Sequence, residues 1–267
     1  MKAICVIFSL FIIFFFQKSF SLENKIIVAS TTSTYDTGLL SYLNDHFKDK
    51  YNISVQILSQ GTGQAIRTAK DGNVEVLLVH HKVSELDFVK KGYGLIRYNL
   101  MYNDFIIVGP KSDNNKCKNI QEKLTEIYEK NYLFISRGDD SGTYKKEIEL
   151  WGLIDLNPDD FTNPFYLKVG QGMGNTLLIS NEKSAYTLSD RGTWLSFNRK
   201  NNLKVICESK PPLFNQYGLI LINPKINKNL NFKSAVKYVN WLISDEGKML
   251  INNYKKNQQQ LFFFNYK

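Results

Sequence analysis

Short apolar segments alternate with helix-like segments along most of this chain, and that alternation strongly limits the folds it can adopt. In the first half, strand-like and helix-like segments occur in turn at residues 25–29, 38–47, 54–58, 64–70, 74–79, 84–91 and 97–108. Repeated strand–helix–strand connections are typical of a parallel sheet covered by helices. The sequence therefore predicts an α/β fold.

Two junctions between a strand and a helix in this half are unusually polar. Five consecutive hydroxyl residues fill positions 30–34. One hydroxyl is enough to cap a helix, so the others would have to bond the backbone or a ligand. The second junction, at 59–63, contains Gly61 and Gly63, which permit a left-handed backbone and the close approach of another group.

A third junction, at residues 136–143, is the best suited to binding an anion. It lies between an apolar run and a helix-like segment, so free N–H groups and the positive end of the helix dipole would face the loop. Ser141 and Thr143 add hydroxyl donors, and Arg137 adds a planar cation that can bind two oxygens. The same residues would also suit a plain helix cap and a surface ion pair. If the three loops converge in one cleft, they predict an oxyanion site.

A second series of strand-like and helix-like segments follows a polar break at 109–116. Another break lies at Lys210, Pro211 and Pro212, and we interpret the segments after it as a return to the first unit. Two lobes connected by two crossings form a hinged clamshell. The predicted parts are a signal peptide at 1–21, the first part of lobe 1 at 22–108, lobe 2 at 109–212 and the return to lobe 1 at 213–267.

The N-terminus has the pattern of a secretory signal peptide. A lysine at position 2 precedes an apolar run at 3–16 and a polar, small-residue tail that ends near Ser21. The apolar run is short for a membrane span, so we expect export to the periplasm with removal of the leader. Cys117 and Cys207 remain in the mature chain and are compatible with one disulfide or with two free thiols.

The mature chain is basic, but its charges are dispersed. Without Lys2 and Lys18 the formal net charge falls from +9 to +7. The lysines are scattered, and aromatic and basic residues do not interleave as they do along a nucleic-acid track. We therefore predict no nucleic-acid partner, and the charge suits solubility and the attraction of anions.

Two further patterns could indicate metal binding or catalysis. His80 and His81 are adjacent on a strand, where they would point to opposite faces and could not easily share one ion. Asp139 and Asp140 beside Ser141 could suggest a secreted hydrolase. A serine nucleophile usually needs a histidine base, and the three histidines all precede this loop in the sequence. We predict no metal site and no enzyme, with the hydrolase as the competing class.

Several motifs resemble the tungstate-binding periplasmic proteins of ABC importers. They span almost the whole mature chain and lie at residues 30–34, 36–40, 61–65, 76–80, 102–105, 109–110, 136–143, 170–174 and 185–195. The resemblance implies a two-lobed periplasmic-binding-protein type II fold with two hinge crossings. It also implies capture of tungstate, with molybdate as a second ligand, and delivery to a membrane permease. We expect a monomer without a cofactor. Tyr144 departs from the family pattern, which has a histidine there, and His81 and Lys82 replace a small or proline-containing pair.

The predicted ligand-binding residues come from the three loops and from a glycine-rich segment at 170–174. Arg137 is expected to be the only formal cation on the ligand, because Asp190 beside Arg191 suggests an ion pair. Which of the hydroxyl residues at 31–33 faces the ligand is left open. The set is Thr31, Thr32, Ser33, Gly61, Thr62, Gly63, Arg137, Ser141, Gly142, Thr143 and Gly172.

A phosphate receptor is the alternative within the same class of binding proteins. Phosphate near neutral pH carries a proton on at least one oxygen, so a site that prefers it supplies an acceptor such as a carboxylate. Tungstate and molybdate carry none and need donors only. Asp139 and Asp140 therefore decide between the two interpretations, according to whether they face the ligand or bond Arg137 and the helix.

Overall fold

The structure is a computed structural model that describes residues 24–162, 164–208 and 211–267. The predicted signal peptide lies outside the described residues. Among the described residues, no helix combines the length and the apolar character needed to cross a lipid bilayer.

The described residues form strands and α-helices that alternate along most of the chain, plus one 3-10 helix at Pro158–Asp160. The strands are β1 (Lys25–Thr31), β2 (Ser54–Gln60), β3 (Val76–Val79), β4 (Gly94–Pro110), β5 (Phe134–Ser136), β6 (Tyr166–Lys168), β7 (Thr187–Asp190), β8 (Leu203–Cys207), β9 (Phe214–Ile222), β10 (Lys255–Lys256), β11 (Gln259–Gln260) and β12 (Phe263–Phe264). The helices are α1 (Thr32–Asp36), α2 (Leu39–Tyr51), α3 (Thr62–Lys70), α4 (Lys82–Lys90), α5 (Ile120–Glu129), α6 (Gly142–Gly152), α7 (Met173–Glu182), α8 (Arg191–Ser196), α9 (Phe232–Leu242) and α10 (Asp245–Asn253).

The main sheet has the strand order β12-β4-β9-β3-β1-β2. Strands β1, β2 and β3 are parallel, as their strand–helix–strand connections predict. β9 returns from late in the sequence and lies antiparallel between β3 and β4. The sheet is therefore mixed, because a strand from the return segment separates the fourth strand from the third.

Strand β4 belongs to two sheet regions. Up to Asp104 it pairs with β9, and from Phe105 onward it pairs with β7 and β8. We call the first region with α1–α4, α9 and α10 the first lobe, and the second region with β5, β6 and α5–α8 the second lobe. The lobe boundaries at 108/109 and 212/213 stay predictions, whereas the pairing partners of β4 change a few residues earlier.

Apolar side chains at helical spacing attach the helices to the sheet. Helix α2 buries Leu39, Leu40, Leu43 and Phe47. The Phe47 ring meets the ring of Tyr238 on α9 edge-on, with 4.9 Å between centroids. Burying side chains of this size contributes about 2 kcal/mol each, which fixes α2 and with it the loop that precedes it.

A disulfide joins Cys117 and Cys207, with 5.4 Å between the Cα atoms. It connects the segment before α5 to the end of β8 and lies within the second lobe. Of the two arrangements that the sequence left open, the structure has the bonded one.

Candidate functional site

The second and third predicted loops meet across the two lobes. The backbone N–H of Gly63, in the first turn of α3, donates to the carbonyl of Asp140 at 2.9 Å. A Cβ atom built on Gly142, at the start of α6, would lie 2.9 Å from Thr62 Oγ1. The absence of side chains on Gly63 and Gly142 therefore lets the N-termini of α3 and α6 approach closely.

Several buried donors in this region have no hydrogen-bond partner among the described residues. They are the hydroxyls of Thr62 and Thr143, the Nε of Arg137 and the amide Nδ2 of Asn103, on residues that are at most 4% exposed. A buried polar group left unpaired costs about 1–3 kcal/mol, and native proteins pair nearly all of them. Such donors suit a ligand that offers only acceptor oxygens.

Arg137 is positioned by the acidic residue next to it in the loop. Its Nη2 donates to Asp139 Oδ2 at 2.6 Å, and Asp139 Oδ1 accepts from the backbone N–H of Ser141 at 3.2 Å. The Asp139 carboxylate thus bonds both the guanidinium and the start of α6. Arg137 keeps its Nε for another acceptor.

Asp140 lies against Gly63 and makes ion pairs with cations from both lobes. Its carboxylate accepts from Arg67 on α3 at 2.6 Å and from Lys145 on α6 at 2.9 Å. Burial alone would raise the pKa of Asp140, but the hydrogen bonds from Lys145 and Arg67 outweigh it and lower that pKa. Asp140 therefore stays ionised and links the two lobes at the edge of the cleft.

The first predicted loop is shorter than expected, because α1 begins inside the run of hydroxyl residues. Thr31 caps α1: its Oγ1 accepts from Thr34 N at 3.3 Å and lies 2.7 Å from Thr34 Oγ1 and 3.2 Å from Ser33 Oγ. Thr31 and Ser33 are buried and Thr32 is half-buried. Helix α1 contacts α7 and α8 of the second lobe, and the half-buried Gly172 precedes α7 as its N-cap. Helices α1, α7 and α8 thus form a second group of elements between the lobes. This group carries the predicted residues Thr31, Thr32, Ser33 and Gly172.

Arg191 is held by partners other than the predicted one. It forms a bidentate pair with Asp104, at 2.7 and 2.6 Å, and also bonds Glu208. Asp190 instead caps α8 by accepting from the backbone N–H and the hydroxyl of Thr193. The predicted Asp190 partner was wrong, because Asp104 approaches from β4, far away in the sequence.

The neighbouring histidines point to different surroundings. His80 is buried beside Gly142, whereas His81 caps α4 and pairs with Glu149 of α6, with 3.5 Å between Nε2 and Oε1. Within the described ranges, no group of three or more His, Cys, Asp or Glu side chains is placed to hold a metal ion.

Comparisons with known proteins give the family. A model of the PBP superfamily domain matches residues 20–246. The tungstate-binding protein TupA of Peptoclostridium acidaminophilum is 44% identical over 241 residues, which cover 88% of this chain and 83% of the relative. This chain belongs to the tungstate-binding protein family of the PBP superfamily.

Two solved structures of this family share the fold. The tungstate-binding protein TupA of Desulfovibrio alaskensis G20 has a TM-score of 0.77 and 36% identity, over 91% of this chain and 99% of that one. The tungstate ABC transporter of Geobacter sulfurreducens has a TM-score of 0.79 and 39% identity, over 87% and 99%. The predicted family and the two-lobed α/β fold are confirmed.

Two residues at the site escaped assignment from sequence. Asn103 lies on β4 within the 102–105 motif of the family resemblance, and that motif was an available signal. Its Oδ1 accepts from Asn215 Nδ2 on β9 at 2.8 Å, which orients the amide. Arg67 carried no local signal, because its partner Asp140 lies 73 residues away.

A buried acid lies beneath the Arg137 loop. Glu147 of α6 is 2% exposed and accepts from the Tyr166 hydroxyl. Burial raises the pKa of Glu147 to about 8, and the hydrogen bonds from Tyr166 and Ser136 offset this only in part. Glu147 therefore keeps its proton in the folded protein at neutral pH.

We expect the free energy of unfolding to fall by about 1.5 kcal/mol between pH 6.5 and 8 because of Glu147. In this window the unfolded chain has lost the proton and the native state keeps it, so raising the pH favours unfolding. The fall should flatten above about 8, the folded pKa. Denaturant unfolding at both pH values, for wild type, Glu147→Gln and the exposed control Glu129→Gln, measures it. An equal fall in Glu147→Gln would contradict the assignment.

Proposed function

We propose that this protein captures tungstate, with molybdate as a second ligand, in the cleft between its lobes and delivers it to the membrane permease of an ABC importer. The named relatives bind tungstate or belong to a tungstate transporter. They are binding proteins and not enzymes, so the prediction of a non-catalytic protein is confirmed. We infer a periplasmic monomer that carries the oxyanion as its cargo and needs no cofactor.

The observation that carries this proposal is a set of unpaired buried donors beside carboxylates that are already bonded. Thr62, Thr143 and Arg137 present unpaired buried donors, and Asp139 and Asp140 are bonded to cations. An unprotonated dianion needs this arrangement, because burying it requires donors and some compensating positive charge. The predicted residues of the α1 and α7 loops would complete the enclosure from the other side.

Isothermal titration of the mature protein with tungstate, molybdate, sulfate and phosphate tests the proposal. We expect saturable binding of tungstate and molybdate in a one-to-one ratio. The absence of tungstate binding, or a preference for phosphate, would overturn it.

The ion pair between Arg67 and Asp140 should make only a small contribution to binding. Both side chains are about half exposed, and exposed pairs contribute about 0.2–1 kcal/mol. Arg67→Gln should therefore weaken tungstate binding by less than about fivefold, and less still at high salt. Lys91→Gln removes the same charge from an exposed pair with Asp87 at the C-terminal end of α4 and serves as the control. A loss above about twentyfold would contradict this assignment.

A further inference from the structure

His80 lies directly after β3 and has a buried nitrogen without a partner. His80 is 6% exposed, and its Nδ1 atom has no hydrogen-bond partner among the described residues. The rings of Tyr217 and Phe105 pack against the imidazole, with centroids at 5.0 and 6.0 Å. These contacts hold the imidazole ring in place.

The free nitrogen lies where the two lobes meet at the candidate site. A Cβ atom built on Gly142 would lie 2.9 Å from His80 Nδ1 and 2.9 Å from Thr62 Oγ1. The nitrogen and the hydroxyl thus approach the same point at the start of α6. His80, Gly142 and Asn215 also line a neighbouring cavity of about 260 Å³, whose other walls include Lys146 and Glu149.

The charge state of the ring follows from its surroundings. Burial, then the charge of Arg137, then that of His81 lower the pKa of His80 to about 3, and a hydrogen bond with Asn215 offsets this only in part. The imidazole is therefore neutral near pH 7, with one N–H and one lone pair. Of the two neutral tautomers, the one with the proton on Nδ1 could donate to an anion that offers only acceptors, whereas the other would point a lone pair at its oxygens.

We propose that His80 is a further contact for the bound oxyanion and a determinant of its selectivity, donating through Nδ1–H from the end of β3. This inference rests on the proposed function and deepens it. A neutral donor at this position can hydrogen-bond tungstate or molybdate without adding a second cation to the site. A carboxylate at the same place would instead accept a hydrogen bond from the O–H of a protonated oxyanion and repel an unprotonated one.

Three substitutions of similar size separate these roles. Asparagine retains a donor near the position of Nδ1, leucine has no polar atom, and aspartate has only acceptors. For tungstate we expect His80→Asn within about fivefold of wild type, His80→Leu weaker by about tenfold or more, and His80→Asp weaker by about a hundredfold. We also expect His80→Asp to bind phosphate relatively better, so the tungstate-to-phosphate ratio falls most in that variant.

Titration calorimetry of these variants, with thermal unfolding as a check of folding, tests the inference. The exposed His46→Asn is the matched control and should leave both affinities unchanged. In the wild-type protein, the ¹⁵N resonance of His80 Nδ1 should shift when tungstate is added, which tests the contact even if a variant fails to fold. Equal tungstate affinities in all three variants, or an unchanged resonance, would overturn the contact. If wild type binds another oxyanion instead of tungstate, the proposed function fails, and the same variants then test His80 with that anion.

Discussion

Replacing Arg137 with alanine is expected to weaken tungstate binding about a hundredfold, close to 3 kcal/mol. Arg137 is 4% exposed, so its charge acts in a poorly solvated region where little water screens it. Its Nε has no partner among the described residues, while Nη2 holds Asp139. The substitution removes a donor and leaves a carboxylate without its cation, and both changes oppose an anion. Titration calorimetry with tungstate measures the loss.

Two companion variants separate these causes. Arg199→Ala removes the same charge from an exposed position and should change affinity by less than about twofold. Adding Asp139→Asn to Arg137→Ala removes the released carboxylate, so any recovery measures the repulsion by Asp139. A tungstate affinity of Arg137→Ala within about threefold of wild type would contradict the assignment of Arg137 as a ligand contact.

The parts of the fold that follow from neighbouring residues could be predicted from the sequence. Each of β1, β2 and β3 is a short strand-like run followed by a helix-like segment, and these local patterns predict the parallel arrangement. The position of β9 could not be predicted, because pairing of Leu219 with both Leu78 and Tyr98 depends on contacts far apart in the chain. The same limit explains why the sequence alone could not decide whether Cys117 and Cys207 form a disulfide.

For the candidate site, the sequence indicated which chemical groups the loops contain, but not which residues pair with their charged side chains. The roles of Asp139 depend on residues two positions away, Arg137 and Ser141, and were among the alternatives that the sequence offered. Asp140 bonds Arg67 on another lobe, a contact that no local pattern encodes. Hydroxyl residues were ambiguous for a physical reason: the same oxygen that could bind an anion also caps a helix, as Thr31 does.

The last prediction concerns selectivity between oxyanions. It follows from the partners that the carboxylates near Arg137 already have. Asp139 accepts from Arg137 and Ser141, and Asp140 pairs with Arg67 and Lys145. The charge of Arg137 also acts on Asp36, whose pKa is raised by partial burial, and on the buried Asp190, which bonds Thr193 at the start of α8. A protonated phosphate would therefore have to break one of these bonds to place its O–H.

We expect tungstate to bind at least about a thousandfold more tightly than phosphate, a difference of about 4 kcal/mol or more. Competition titrations with phosphate in the millimolar range against micromolar tungstate measure the ratio. Sulfate is the matched control, because it is also unprotonated near neutral pH and differs in its shorter bonds to oxygen. If the charge state of the oxyanion alone decided its affinity, sulfate would compete as well as molybdate. If the donors are instead spaced for a larger tetrahedral anion, sulfate cannot reach all of them and competes poorly. Displacement of tungstate by phosphate would instead mean that an acceptor faces the ligand, and the protein would then be a phosphate receptor of the same fold.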